Sequence, residues 1–177
     1  MTIPNLTLLV GIPGSGKSTC INTHKSQCII VSPDNIRKEL FNDITDQTHN
    51  IEVWAEAKVR TTKYLNEGIS VVLDATNVNT TNRRNFLQGL PPCKLQAILF
   101  KTDPDQCWKR IKKDIDSGKD RSNVPEEIIY RMYGEFLYTE KVIESEGFEI
   151  YESCINWSPK DFINALDDMQ RKIDDQK

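Results

Sequence analysis

An α/β fold built on a parallel sheet is predicted by three observations. Five short apolar runs, at 6–10, 28–31, 69–73, 95–100 and 148–151, lack the polar alternation of a half-exposed antiparallel strand. Segments with the apolar spacing of helices separate them. A glycine-rich stretch stands directly between the first run and the first helical segment. Strands buried on both faces and joined by helices give a sheet of about four to five strands with helices on its flanks.

The first run, Leu6-Thr7-Leu8-Leu9-Val10, reads as a buried strand, and Gly11-Ile12-Pro13-Gly14-Ser15-Gly16-Lys17-Ser18-Thr19 follows it without a gap. This is a complete P-loop, and a helix at 17–25 completes its setting. Its glycines allow a tight turn that aims backbone N–H groups at phosphate oxygens. Gly11, Pro13, Gly14, Ser15, Gly16, Lys17, Ser18 and Thr19 are the nucleotide-binding candidates. Lys17 is placed to reach the β- and γ-phosphates, and the Ser18 hydroxyl to bind Mg²⁺. The chain is therefore expected to bind a nucleoside triphosphate.

Ligands of open α/β sheets bind beyond the carboxyl ends of the strands, so the residues after each strand carry the chemistry. After the run at 28–31 comes Ser32-Pro33-Asp34-Asn35-Ile36-Arg37, opening a helix at 34–41. Asp34 and Arg37 are three apart and share a face, while Ile36 and Leu40 are expected on the core side. The carboxylate suits a general base and the guanidinium an acceptor phosphate. A helix at 48–66 leads to the run at 69–73, which ends in Asp74-Ala75-Thr76-Asn77. Asp74 holds the Walker-B position and is a metal candidate with Ser18. Thr76 and Asn77 either bond the acceptor or cap the turn. Arg83-Arg84 stands in the next helix, at 81–88; Arg83 is a substrate candidate, with a solvated face as the alternative.

The strand at 95–100 precedes a helix at 105–116, with Trp108, Ile111 and Ile115 on its buried stripe and Arg110 off it, within reach of the phosphates. The polar stretch 117–125, which includes Arg121, reads as a mobile lid over the nucleotide. Pro125 suits the start of the helix at 126–144, whose Ile129, Met132, Tyr133, Phe136 and Ile143 have core spacing. A weaker strand at 148–151 follows. A last helix begins at 159, carries Phe162, Leu166, Met169 and Ile173 on one face, and ends by about 175. With 177 residues and no linker or repeat, one domain over 1–177 is expected.

Composition narrows the function classes. The net charge of −3 argues against an extensive nonspecific grip on duplex nucleic acid, though not against a narrow site for one strand end. No apolar stretch approaches the roughly 20 residues of a membrane span. With no signal-like N-terminus either, a cytoplasmic location is expected. The five cysteines (Cys20, Cys28, Cys93, Cys107 and Cys154) form no close pair and read as reduced, buried filler. His24 and His49 lack metal-ligand spacing and read as surface or helix-end residues.

Taken together, Gly11 to Thr19, Ser32 to Arg37, Asp74 to Asn77 with Arg83-Arg84, Asp103-Pro104 with Lys109-Arg110, and Arg121 through Met132-Tyr133 resemble the phage polynucleotide 5′-kinase domain and its relatives in bacterial RNA-repair enzymes. The resemblance implies a P-loop kinase fold. It also implies Mg²⁺-dependent transfer of the ATP γ-phosphate to the 5′-hydroxyl end of single-stranded or nicked DNA or RNA. Asp34 inherits the role of general base, and Arg37 that of binding the phosphate next to the acceptor nucleotide. Arg110 and Arg121 match lid arginines that contact ATP phosphates, and Lys17 and Ser18 match the P-loop pair. Lys17, Asp34, Arg37, Arg110 and Arg121 make up the catalytic set. The phage kinase carries an acid where this chain has Ala75; here the acid is Asp74, one residue earlier. No phosphatase or ligase segment is present, so full end repair implies a separate partner. The rival reading is a P-loop kinase of a nucleoside, nucleotide sugar or antibiotic, since the Asp-x-x-Arg unit also occurs in such enzymes.

Overall fold

The structure, a computed structural model, describes residues 3–22, 29–119 and 124–153. Five parallel strands form one sheet in the order β2-β3-β1-β4-β5, with β1 Asn5–Val10, β2 Ile29–Val31, β3 Val71–Leu73, β4 Lys94–Phe100 and β5 Glu149–Ser153. Register is continuous across the centre: Leu8 of β1 faces Leu73 of β3 and Ala97 of β4. The predicted α/β class and parallel sheet are thus what the chain forms. The expected last helix, with Cys154 and Cys28, lies outside the described residues.

β1 is buried along its whole length, which is why its sequence is apolar almost throughout. Its two faces feed different cores. Leu6, Leu8 and Val10 join the large core with Leu73, Leu99 and Ile111, and Leu9 packs with Ile21, Val72, Ile98 and Phe100 on the other side. Around the sheet lie α1 Lys17–Asn22, α2 Pro33–Phe41, α3 Asn50–Asn66, α4 Thr80–Leu87, α5 Pro104–Asp116 and α6 Glu126–Val142.

Side-chain caps fix where the site-bearing helices begin. Ser32 Oγ accepts from Asn35 N ahead of Pro33, Asn79 Oδ1 from Asn82 N at 2.9 Å, and Asp103 Oδ1 from Asp105 N at 2.9 Å ahead of Pro104. Each oxygen meets a donor that the first helical turn would leave unpaired, and proline tolerates that turn. Asp34 is thereby held in the first turn of α2, at the carboxyl end of β2.

Some boundaries differ from expectation for local reasons. α3 begins at Asn50 instead of 48 because two side-chain turns occupy the preceding loop. Asp43 Oδ1 accepts from Thr45 N at 2.7 Å and Asp46 Oδ1 from Thr48 N at 2.8 Å. β3 begins at Val71 instead of 69 because Ile69 N is still bonded to Tyr64 O, closing the end of α3. α6 stops at Val142 and a 3₁₀ turn, Glu144–Glu146, follows, ended by Gly147 at φ 89. Leu40 does not enter the core as expected; it is 49% exposed. α2 is a short helix that sinks Ile36 and Arg37, and it turns Leu40 outward.

Candidate active site

The P-loop is braced from three sides. Gly11 N donates to Thr76 O at 3.0 Å, tying the loop to the end of β3. Thr102 Oγ1, just past β4, donates to Ser15 O at 3.0 Å. Arg110 Nη1, on α5, donates to Gly14 O at 3.2 Å. A Cβ on Gly11 would stand 2.7 Å from Ser15 Oγ and 2.8 Å from Phe100 Cβ, and one on Gly14, at φ +81, would stand 2.6 Å from Cys107 O. Glycine at both positions is required by close approach, and at Gly14 by conformation as well. Neither Thr102 nor Cys107 stood out in the sequence, because nothing local marks a residue that packs on a loop some ninety positions earlier.

Lys17 lies against this loop, with Nζ donating to Gly11 O at 2.7 Å and Ile12 O at 2.8 Å. Ser18 and Thr19 are exposed at the mouth. Ser18 Oγ donates to Asp74 Oδ2 at 3.5 Å, so the two metal candidates do meet. Burial pushes the Asp74 carboxyl above the usual carboxylate range; Lys17 opposes that rise, nearby Asp34 adds to it, and Ser18 opposes it. A hydroxyl and a carboxylate are the hard oxygen donors that Mg²⁺ takes together with substrate phosphates and water. Among the described residues no group of three or more His, Cys, Asp or Glu side chains could hold a metal ion unaided. The donor set therefore fits Mg²⁺ delivered with a nucleotide, and does not fit a self-contained metal cage.

Near Asp74, Asp34 is 72% exposed while Arg37 is 4% exposed, and Arg37 Nη1 donates to Asp34 Oδ1 at 2.6 Å. The guanidinium also spans to Asn50 Oδ1 through Nη2 at 2.8 Å and to Ile44 O through Nη1 at 3.5 Å. Arg37 Nε is buried without a hydrogen-bond partner. The two members of the pair are thus unequal: Asp34 faces out and Arg37 is enclosed by the loop before α3. Asn50 was invisible as a partner, being thirteen positions away in a separate helix.

Of the three substrate candidates, Asn77 and Thr76 take the turn-forming alternative, and Arg83 departs from both of its readings. Asn77, at φ 49, spends its amide on Leu9 O at 2.8 Å, Leu73 O at 3.3 Å and Ala75 O at 3.3 Å. It therefore shapes the turn. Thr76 is half-buried, and its carbonyl holds the P-loop. Arg83 is neither a solvated nor a substrate-facing residue. Its side chain is 0% exposed and paired with Glu146 at 2.8 Å, and all five of its N–H donors are used inside the protein. Arg84 is 63% exposed and also reaches Glu146.

Arg110 is exposed beside the loop, whereas Arg121 and the middle of the expected lid, 120–123, lie outside the described residues. Of the lid's flanks, Ser117 and Gly118 close α5 and Lys119 Nζ pairs with Asp114 at 2.6 Å. His49 stacks on Phe41 with ring centroids 4.1 Å apart at the entry to α3, a helix-end residue as expected. Cys107 is fully buried and Cys20 and Cys93 are half-buried free thiols; burial lifts Cys20 to about 11. Among the described residues, no helix is long and apolar enough to cross a membrane.

Comparison with known proteins agrees with this architecture. A family model described as "AAA domain" matches residues 6–137. No curated protein matches the chain. Among solved structures, a chain of the Pnkp1/Rnl/Hen1 RNA repair complex is similar at TM-score 0.66 and 20% identity, over 80% of this chain and 46% of that one. The present chain thus spans under half the length of that protein. A putative kinase from Chloroflexus aurantiacus is similar at TM-score 0.68 and 15% identity, over 97% of this chain and 98% of its own. Deoxyadenosine kinase from M. mycoides is similar at TM-score 0.55 and 16% identity, over 95% and 99%. At these identities the likeness establishes a P-loop kinase-like fold.

Proposed function

The chain belongs to the AAA domain family of the matching model, and from that premise we propose that it is an ATP-dependent kinase of polynucleotide 5′-hydroxyl ends. One observation carries the reading. An exposed carboxylate, Asp34, is hydrogen-bonded to an almost fully enclosed arginine, Arg37, and lies close enough to Asp74 for the two charges to interact. A phosphoryl donor on the P-loop and a hydroxyl presented to Asp34 would then both lie beside Asp74, which Ser18 Oγ also meets.

In this reading the loop N–H groups and Lys17 hold the triphosphate, with Lys17 exchanging its loop carbonyls for phosphate oxygens. Asp34 accepts the proton of the attacking 5′-hydroxyl. Arg37 fixes Asp34 through Nη1, and its guanidinium charge would favour the phosphate that follows the acceptor nucleotide. Arg110 lies where it can turn from Gly14 O to the transferring group and offset its charge. Ser18 and Asp74 would hold Mg²⁺, which neutralises charge on the phosphates when bound. Positioning and charge stabilisation supply the rate, as is general for phosphoryl transfer. Arg121, a proposed second phosphate contact, and a separate ligase or phosphatase partner follow from the same reading. The likeness to a chain of an RNA repair complex supports considering nucleic-acid ends first.

The competing acceptor is a nucleoside or another small molecule. The net charge of −3 favours it, as does the end-to-end match with deoxyadenosine kinase. An acceptor panel separates the two: 5′-hydroxyl DNA and RNA oligonucleotides, 3′-phosphorylated nucleosides and free deoxynucleosides, with ATP and Mg²⁺. The proposal expects kcat/KM to rise with strand length and binding to weaken with salt, at a slope of about −0.7 per neutralised phosphate. Preference for free deoxynucleosides with a flat salt response would overturn it.

A further inference from the structure

Arg83 has no place in the proposed chemistry, yet it is the most completely bonded side chain near the site. Nε and Nη2 grip the two Glu146 carboxylate oxygens at 2.8 Å and 3.1 Å. Nη1 donates to Asn77 O at 2.8 Å and to Thr139 Oγ1 at 3.2 Å. Thr139, itself fully buried on α6, donates from its own hydroxyl to Val78 O at 2.5 Å. Asn77 O and Val78 O are the consecutive carbonyls that end the Asp74–Asn77 turn. The opposite side of that turn is fastened to the P-loop strand by Asn77 Nδ2 on Leu9 O and by Gly11 N on Thr76 O.

A structural ion pair would need only Glu146. Here the guanidinium fork and the Thr139 hydroxyl hold successive carbonyls from behind, and the turn they hold carries Asp74. Asn77 sits at φ 49, a left-handed backbone conformation that asparagine adopts readily, so the turn itself is unstrained and its position is set by these contacts. We propose that Arg83 and Thr139 are positioning residues that set the Asp74 carboxylate against Ser18, and through it the affinity for Mg²⁺ on bound nucleotide. The proposal rests on the reading of Asp74 and Ser18 as the metal-side pair. A released turn lets Asp74 drift from Ser18, and the nucleotide then loses the metal's help, while Thr102 and Arg110 still brace the P-loop.

Thr139 gives the cleanest test, because its two shape-conserving replacements split packing from hydrogen bonding. Thr139→Val keeps the volume and removes the hydroxyl; Thr139→Ser keeps the hydroxyl and removes a methyl. ATP affinity is measured by calorimetry with and without Mg²⁺, at a temperature where circular dichroism shows the variants folded. The expected result is that Thr139→Val loses about tenfold of the Mg²⁺-dependent gain in ATP affinity, with metal-free ATP affinity unchanged, while Thr139→Ser keeps the gain. Equal Mg²⁺ gains in the valine variant and the wild type would overturn the proposal, as would equal losses in both variants. Asp74→Asn runs beside them: if it keeps the full Mg²⁺ gain, the metal reading of Asp74 itself falls, a result distinct from failure of the positioning step. Should Thr139→Val not fold, Thr139→Cys, which retains bulk with only a weak donor, replaces it with the same deciding outcomes.

Discussion

Substituting alanine at Gly14 and Gly16 separates backbone conformation from close approach in the P-loop. Both glycines have positive φ, +81 and +103, so alanine is strained at either by roughly 1–3 kcal/mol. Their surroundings differ. At Gly16 no atom lies within 4 Å of an added Cβ, whereas at Gly14 the Cβ would meet Cys107 O at 2.6 Å and Cys107 Cα at 3.1 Å. Those are backbone atoms of α5, and α5 cannot retreat without moving the fully buried Cys107 and Ile111. Overpacking of this kind adds about 1–3 kcal/mol. Gly14→Ala is therefore expected to lose about 2–6 kcal/mol in urea unfolding, against about 1–3 kcal/mol for Gly16→Ala. Displacing α5 also removes Arg110 from Gly14 O, so Gly14→Ala should lose nucleotide affinity by more than Gly16→Ala at equal folded fraction. Equal stability losses in the two variants, or a larger loss at Gly16, would refute the packing argument.

Other predictions follow from the site. Asp74→Asn removes a carboxylate that burial disfavours in its charged form. The folded protein holds that proton to a higher pH than the unfolded chain, so the cost is full above the raised pKa and absent below the ordinary range. In the absence of metal and nucleotide, Asp74→Asn should melt above the wild type at pH 7, with the gap closing as pH falls through that window; a gap that widens on acidification contradicts the assignment. Arg37→Lys cannot span Asp34 and Asn50 at once. Losing one charge-assisted bond of about 1.5–3 kcal/mol predicts a drop of about ten- to a hundredfold in kcat/KM for acceptor, and unchanged steady-state rates would count against it. Arg110→Ala, at an exposed position, should change unfolding free energy by under about 0.5 kcal/mol. Its kcat should fall by about 10³ if the side chain serves the transferring phosphoryl group, and an unaltered kcat would remove it from the site.

What could be read from sequence was what is local in sequence. The P-loop, the capped start of α2 and the acid ending β3 are each specified within a few residues, and apolar runs without alternation suffice to place parallel strands. Asp34 was legible because its proline and serine cap are adjacent to it. Its environment was not: whether Arg37 faces solvent depends on Asn50 and the Ile44 carbonyl, contributed by a loop whose path the spacing of α2 does not determine. Arg83 was misjudged for the same reason on a longer scale. A charged residue in the middle of a polar helix reads as solvated, and only the return of the chain at Glu146, 63 positions later, encloses it. Asn77 read equally as an acceptor ligand or a turn former, because asparagine beside threonine at a strand end offers hydrogen-bonding groups for either. In the fold those groups close the turn. Polar residue types thus identified the right turns, and the long-range contacts decided which residues shape the site and which remain available to a substrate.

The central claim is tested most directly by following γ-labelled phosphate from ATP to a 5′-hydroxyl oligonucleotide in the presence of Mg²⁺, with wild type and Asp34→Asn side by side. The account predicts labelled DNA or RNA from the wild type, none when the acceptor carries a 5′-phosphate, and loss of transfer in Asp34→Asn with ATP binding intact. Transfer undiminished by Asp34→Asn, or an unlabelled strand with active transfer to a free nucleoside, would contradict it.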